Sequence, residues 1–230
     1  TDRPSGGDRR PGVVLDVDGT LVDSNYLHPL AWWRALRDVG AWAPMNAVHR
    51  LIGMGGTQLV EQLLGEPHEG AEDAWRHRYE ELRDEVRPFP FARELVEAMH
   101  ARGLAVVLAT SSPADLLAHA TESLGIDASV DAVTTADDVR AAKPHPDVFV
   151  EAMRAGVIDA RYALAVGDSI WDVRAARAAG IGCVALETGG FGRHELSEEG
   201  ALAIYRDPEE LLRQLETSPI GALVATRGAR

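Results

Sequence analysis

The sequence predicts an α/β protein: a parallel sheet with helices on both faces and a small all-helical domain inserted after the first strand. Three observations carry that prediction. Beyond residue 88, short apolar runs of strand length alternate with stretches of helical periodicity, as repeated β-α units require. A further apolar run at residues 13–17 supplies a first strand well ahead of them. The interval between, from Ser24 to about Pro88, is helical throughout and carries four of the five tryptophans.

Along the chain, residues 1–11 are polar and lack a hydrophobic segment, so they read as a disordered leader and not as a signal peptide. The first strand follows at 13–17. Helical patterns at 27–39, 47–51, 57–64 and 69–86 fill the insert, 24–88, and Arg87-Pro88-Phe89-Pro90 forms a stiff return. Strands are then expected at 104–109, 130–133, 162–166, 183–186 and 201–205. Helices are expected between and after them at 92–101, 114–124, 147–155, 171–179 and 208–215. The α/β core therefore covers 12–23 and 89–216, and 217–230 is left as a C-terminal tail, frayed from Gly221.

Net charge is −13, from 36 acids against 23 bases. A surface that acidic repels nucleic acid and anionic membranes, and no apolar run approaches the ~18 residues that span a bilayer. The single cysteine, Cys183, sits in an apolar stretch and reads as a small buried hydrophobe. With no partner for an internal disulfide it fits a reducing cytoplasm. An anionic substrate would have to be drawn in by local positive groups or by a metal.

The most informative run is Val13-Val-Leu-Asp16-Val-Asp18-Gly19-Thr20-Leu-Val-Asp23. A buried strand leads into two acids spaced i, i+2, and Gly-Thr bends the chain immediately after. Alternation along a strand puts both carboxylates on one side, where they repel unless a cation lies between them or one holds a proton. The pattern is a metal site or an acid/base pair, and an isolated Asp-x-Asp could also simply open a turn. Three other polar clusters follow predicted strands or loops. Thr110-Ser111-Ser112-Pro113 offers hydroxyls and free N–H groups at a helix start, which suits an anion and equally suits ordinary capping. Gly167-Asp168-Ser169-Ile-Trp-Asp172 puts two acids on a strand-to-helix turn. Lys143-Pro144-His145-Pro146 holds the only lysine of the chain, against 22 arginines, which points to a need for a compact ammonium there.

These four segments, in this order, resemble the four motifs of the haloacid dehalogenase-like hydrolase superfamily, over residues 12 to about 216. The helical insert directly after the first motif resembles the cap of its phosphoglycolate phosphatase and β-phosphoglucomutase branch, on a Rossmann-like core. The resemblance implies a Mg²⁺-dependent phosphatase for a small phosphorylated metabolite, a monomer or homodimer. It implies Asp16 as the nucleophile that forms an aspartyl-phosphate. Asp18 would be the general acid and base, and Lys143 would neutralise charge on Asp16 and the phosphoryl oxygens. Mg²⁺ would be held by Asp16, the Asp18 backbone carbonyl and Asp168, with Asp172 orienting the metal's water from behind. Thr110 and the Ser111 N–H would bind a phosphoryl oxygen.

Departures from the pattern sort the reactions. Asp18 argues against a true dehalogenase, whose leaving halide needs no proton, and the absence of a cap lysine argues against phosphonoacetaldehyde hydrolysis. His28 and Trp32 lie i, i+4 on the first cap helix, as in β-phosphoglucomutase-like proteins, although cap core and helix surface explain the pair as well. The expected cap-loop arginine is replaced by Gly53-Met54-Gly55-Gly56, and Pro113-Ala114 stands where a lysine-asparagine pair is expected. Phosphatase is therefore favoured over a β-phosphoglucomutase-like sugar phosphomutase, with Arg50 still able to reach the pocket. Gly53 and its neighbours allow close backbone approach to a ligand, so the loop and His28 are candidate substrate-binding positions. A non-catalytic binding protein on this scaffold would have lost Asp16, Asp18, Lys143 or Asp168; all four are present.

Overall fold

A computed structural model describes residues 9–225. In chain order its elements are β1 (Arg10–Leu15), β2 (Val22–Asp23), α1 (Leu27–Asp38), α2 (Met45–His49), α3 (Gly56–Leu64), α4 (Ala71–Glu80), β3 (Arg87–Pro88), α5 (Ala92–Ala101), β4 (Ala105–Ala109) and α6 (Ala114–Leu124). There follow β5 (Ala132–Thr134), α7 (Asp147–Ala155), β6 (Ile158–Gly167), α8 (Ile170–Ala178), β7 (Gly182–Leu186), α9 (Arg193–Glu198), β8 (Ala203–Tyr205), α10 (Pro208–Arg213) and α11 (Pro219–Ala225).

The continuous apolar runs become strands buried on both faces, as a parallel sheet under helices demands. Six strands pair in the order β5-β4-β1-β6-β7-β8, every neighbour parallel. Alternate residues serve opposite cores: Val13 and Leu15 pack on one side with Leu108, Val166 and Leu186, and Val14 packs on the other with Val107, Ala165 and Cys183. The chain steps from β1 to β4 and β5 on one side, then crosses to β6, β7 and β8 on the other. That reversal opens a crevice at the carboxyl ends of the strands, where ligands bind in such sheets.

Helices α1 to α4 leave and rejoin this core through a short antiparallel stem, in which Val22 pairs with Pro88 and Asp23 with Arg87. Trp32, Trp75 and Tyr79 are buried between the insert helices, and the rings of Trp32 and Trp75 stack 5.3 Å apart.

Several expectations need correction. β1 ends at Leu15 and not at residue 17, so Asp16 and Asp18 stand beyond the strand, in the bend that Gly19 closes with φ +77°. The helix expected over 69–86 stops at Glu80; a 3-10 turn at Arg83–Glu85 then lets Val86 bury and Arg87 join the stem. Helix α9 has no counterpart in the sequence reading. The leader expected over 1–11 lies outside the described residues as far as residue 8, and Arg10 and Pro11 belong to β1. The tail expected from 217 is not frayed at Gly221: α11 covers Pro219–Ala225, with Ile220 fully buried, because an apolar segment after Pro219 can pack against the core.

Candidate active site

Each chemical group sits where a strand or loop ends. Asp16 follows β1, Thr110 follows β4, Asp168 follows β6, and Lys143 enters from the loop before α7. Asp16, Asp18, His28, Gly53, Thr110, Ser111 and Asp168 line one cavity of about 410 Å³ between the sheet and the insert, a size that small-molecule sites occupy. Lys143, 1% exposed, lies beneath it.

The floor is a buried ionic cluster. The Lys143 ammonium donates to Asp16 Oδ1 and pairs with Asp172 Oδ1 at 2.8 Å, and it lies 5.3 Å from the centre of the Phe149 ring. The other Asp172 oxygen accepts from the Ser169 amide and hydroxyl at 3.1 and 2.5 Å. Asp168 accepts from Asn25 Nδ2 at 2.7 Å, and the Thr20 hydroxyl stands 3.1 Å from both Asp168 Oδ1 and Asp16 Oδ2. Among the described residues, Asp16, Asp168 and Asp172 form a group with carboxylate oxygens within 4.8 Å of one another. Burial, opposed by Lys143 and reinforced by Asp172, pushes the Asp16 carboxyl up to about 7. Burial and then the charges of Asp16 and Asp172 push Asp168 well above the carboxylate range. Lys143 is pushed down by burial, yet its two carboxylates outweigh that and hold the ammonium above the usual lysine range.

Asp18 belongs to a different network. Its side chain turns from the acidic trio and accepts from Ser24 Oγ at 2.8 Å, Ser112 Oγ at 2.7 Å and Thr110 Oγ1 at 3.2 Å, with His28 Nε2 at 3.0 Å. Burial raises its pKa, but the His28 charge and the bonds from His28, Ser112 and Ser24 win, and Asp18 is held far below the usual range. His28 is fixed in turn by stacking on Tyr79, ring centroids 4.3 Å apart. The insert loop closes down on the same site. Ser111 Oγ donates to the Gly53 carbonyl at 3.2 Å, and Gly53 adopts φ +99°, a left-handed conformation that favours glycine.

The candidate residues named from the sequence thus reach one site, except Arg50, which pairs with Glu195 outside the cavity. Asp172 comes closer to Asp16 and Asp168 than a purely outlying role implies, although both its oxygens are engaged. The sequence reading missed Ser24 and Asn25, and it gave Thr20 and Ser112, met inside the first and second clusters, no role of their own; each is a small polar residue that also reads as a turn or cap. It also missed Gly189, beyond β7. A Cβ there would stand 2.1 Å from Asp168 Oδ2 and 2.4 Å from the Asp168 carbonyl oxygen. Gly189→Ala should therefore displace Asp168 and lower kcat/KM by about 10²-fold, the scale of a ~1 Å misplacement. Turnover and circular dichroism on the purified variant check this, and an intact fold with wild-type turnover would contradict it. The Gly-Gly pair after an apolar run was the available signal.

A family model for haloacid dehalogenase-like hydrolases matches residues 11–180. The chain belongs to that family. Among these hydrolases, the phosphoglycolate phosphatase of Pseudomonas fluorescens is 32% identical over 204 residues, covering 84% of this chain and 75% of that one. The crystal structure of a hydrolase from Pseudomonas syringae superposes with a TM-score of 0.85 at 34% identity, covering 90% of this chain and 99% of that one. A β-phosphoglucomutase-like structure from Bacteroides vulgatus shares the fold at TM-score 0.82 and 22% identity, over 94% of this chain and 90% of that one. Membership and relatives make this haloacid dehalogenase-like protein an enzyme, a phosphoric monoester hydrolase. Among its described residues no helix is long and apolar enough to cross a membrane.

Proposed function

We propose that this enzyme hydrolyses a small phosphomonoester with Mg²⁺, through a phosphoryl group carried on Asp16. The supporting observation is the charge of the floor. Three buried carboxylates share a single ammonium, so with all three ionised two negative charges lack a partner, at several kcal/mol of desolvation each. An oxygen-only donor set in that state fits a hard divalent cation. Asp16 and Asp168 would hold it, together with the Asp18 backbone carbonyl as the family resemblance implies, because Asp172 is engaged by Lys143 and Ser169. Bound there, Mg²⁺ supplies positive charge against the repulsion between Asp16 and a phosphate dianion.

The chain's own groups do the rest. An Asp16 oxygen attacks phosphorus as the bond to the leaving oxygen breaks, while Lys143 keeps the attacking carboxylate aimed and partly neutralised. Asp18 gives the departing alkoxide a proton. The phosphate dianion beside Asp18 favours its protonated form, and the His28 ring 3.0 Å away is placed to deliver that proton. Water then attacks the aspartyl-phosphate and loses a proton to Asp18, releasing phosphate and restoring Asp16. The Ser111 amide and Thr110 hydroxyl would bind a phosphoryl oxygen at the mouth of β4.

Hydrolysis is favoured over phosphoryl transfer between sugar positions by Arg50. Its guanidinium is 2.5 Å from Glu195 and lies over Phe191, away from the cavity in which a second phosphate would need it.

A panel of phosphate esters assayed with Mg²⁺ tests the reaction: turnover should vanish with EDTA and return with Mg²⁺, and undiminished activity in EDTA would end the proposal. Binding has a separate readout. Ligand carboxylates must be deprotonated; burial raises Asp16 to about 7 and pushes Asp168 well above the carboxylate range too. The melting-temperature gain from Mg²⁺ should therefore grow as pH rises from about 5 to about 8; a gain independent of pH would contradict Asp16 and Asp168 as ligands.

A further inference from the structure

Asp168 is held by the insert as well as by the core. Its Oδ1 shares the Thr20 hydroxyl with Asp16 Oδ2, 3.1 Å from each. Its Oδ2 accepts from Asn25 Nδ2 at 2.7 Å. An ionised carboxylate only accepts, so the end of the amide that meets it is the nitrogen. Asn25 lies between β2 and α1, in the link that carries the chain from core to insert, and is 2% exposed. Glycine makes room for the contact: a Cβ on Gly19 would stand 1.9 Å from Asn25 Nδ2 and 2.4 Å from Asp168 Oδ2. A neutral donor fixes a carboxylate without bringing a positive charge to compete with a cation, as an ammonium would.

The insert also touches the loop that backs Asp168. The Gly189 carbonyl oxygen lies 3.2 Å from His49 Nε2. A carbonyl only accepts, so Nε2 is the protonated nitrogen of that ring. His49 is the last residue of α2, and its ring stacks on Tyr26 with centroids 5.2 Å apart. On the neighbouring Gly190 a Cβ would stand 2.6 Å from His49 Cε1, just as one on Gly189 would meet Asp168 Oδ2. Asn25 reaches the same loop, its Nδ2 standing 3.4 Å from the Thr188 carbonyl oxygen. Residues 188–190 therefore lie against Asp168 and against the insert at once. His49 does not line the cavity, so its route to the chemistry runs through this loop.

We propose that Asn25 and His49 are positioning residues for Asp168: with the insert seated, they hold its carboxylate and the loop behind it in place for Mg²⁺. Ion affinity is then coupled to the seating of the insert, and each favours the other to the same degree. This rests on the Mg²⁺-dependent phosphatase reading and deepens it.

Calorimetric titration of the metal-free protein with Mg²⁺, at one fixed pH, tests the coupling. Asn25→Leu keeps the bulk of the side chain and removes its donor. The dissociation constant for Mg²⁺ should rise about tenfold or more, the scale on which partners of a ligating carboxylate act. His49→Phe keeps a ring against Tyr26 and loses the bond to Gly189, and the constant should rise about threefold. Because His49 is only half-buried, that variant carries the test if the buried Asn25 variant does not fold. Mg²⁺ should in turn slow hydrogen exchange in α2 and α3 of the wild type and slow it less in either variant, which loss of a merely structural contact would not bring about. Wild-type Mg²⁺ affinity in either folded variant, or insert exchange indifferent to Mg²⁺ in the wild type, would overturn the inference and leave the phosphatase reading intact. A wild type that binds no Mg²⁺ and turns over its esters undiminished in EDTA overturns both.

Discussion

Asp16→Asn is expected to lower phosphatase turnover by about 10⁴-fold or more, because an amide oxygen cannot form and release the covalent phosphoryl intermediate. The fold should survive. Asp16 meets Lys143 through one oxygen, which the amide keeps, and Thr20 near the other. One negative charge leaves a floor that holds three carboxylates and one ammonium, so the metal-free variant should melt no lower than the wild type. Loss of turnover with a retained melting temperature separates chemistry from structure. A variant that turned over at the wild-type rate would remove Asp16 from the reaction.

Lys143→Met should do the opposite in kind, damaging both fold and function. It leaves Asp16 and Asp172 buried without their shared ammonium, and breaking a buried pair from one side costs about 3–5 kcal/mol. For a chain of this length that is a fall of roughly 6–20 °C in melting temperature. Mg²⁺ should restore part of it by replacing the missing positive charge. Adding Asp172→Asn should recover stability further by removing one stranded carboxylate, without restoring turnover, since nothing then aims Asp16. Thermal melts of the two variants, with and without Mg²⁺, check the chain of inference. If Lys143→Met melted like the wild type in EDTA, Lys143 would not be what holds the buried carboxylates together.

The difference between these variants mirrors what the sequence could and could not say. The parallel sheet was legible because strands buried on both faces write continuous apolar runs, as residues 104–109 and 183–186 do. Asp16 and Asp168 were legible because they follow strand ends, and Lys143 because it is the only lysine, all in a recognisable order. What stayed hidden depends on packing at a distance. Ser112 and Ser24 hold Asp18 across 94 and 6 residues of chain, and nothing local distinguishes them from caps. Asn25 reaches Asp168 across 143 residues. Gly189 matters only because Asp168 lies against it. Glu72 stands in the first turn of α4, where acids are common; that it meets Thr57 at the start of α3 follows from the insert's fold. The ends of elements were also set by tertiary demands, with α4 stopping so that Val86 could bury and α11 forming because Ile220 could.

The most direct test of the covalent mechanism is chemical trapping of the phosphorylated side chain. The enzyme is quenched during turnover of its best ester and treated with borohydride, which reduces an acyl-phosphate to an alcohol, and its peptides are then sequenced by mass spectrometry. The expected product is homoserine in place of Asp16, formed only with Mg²⁺ and ester present and absent from Asp16→Asn. Steady release of phosphate with residue 16 recovered unmodified at every quench time, or homoserine at another aspartate, would contradict the account.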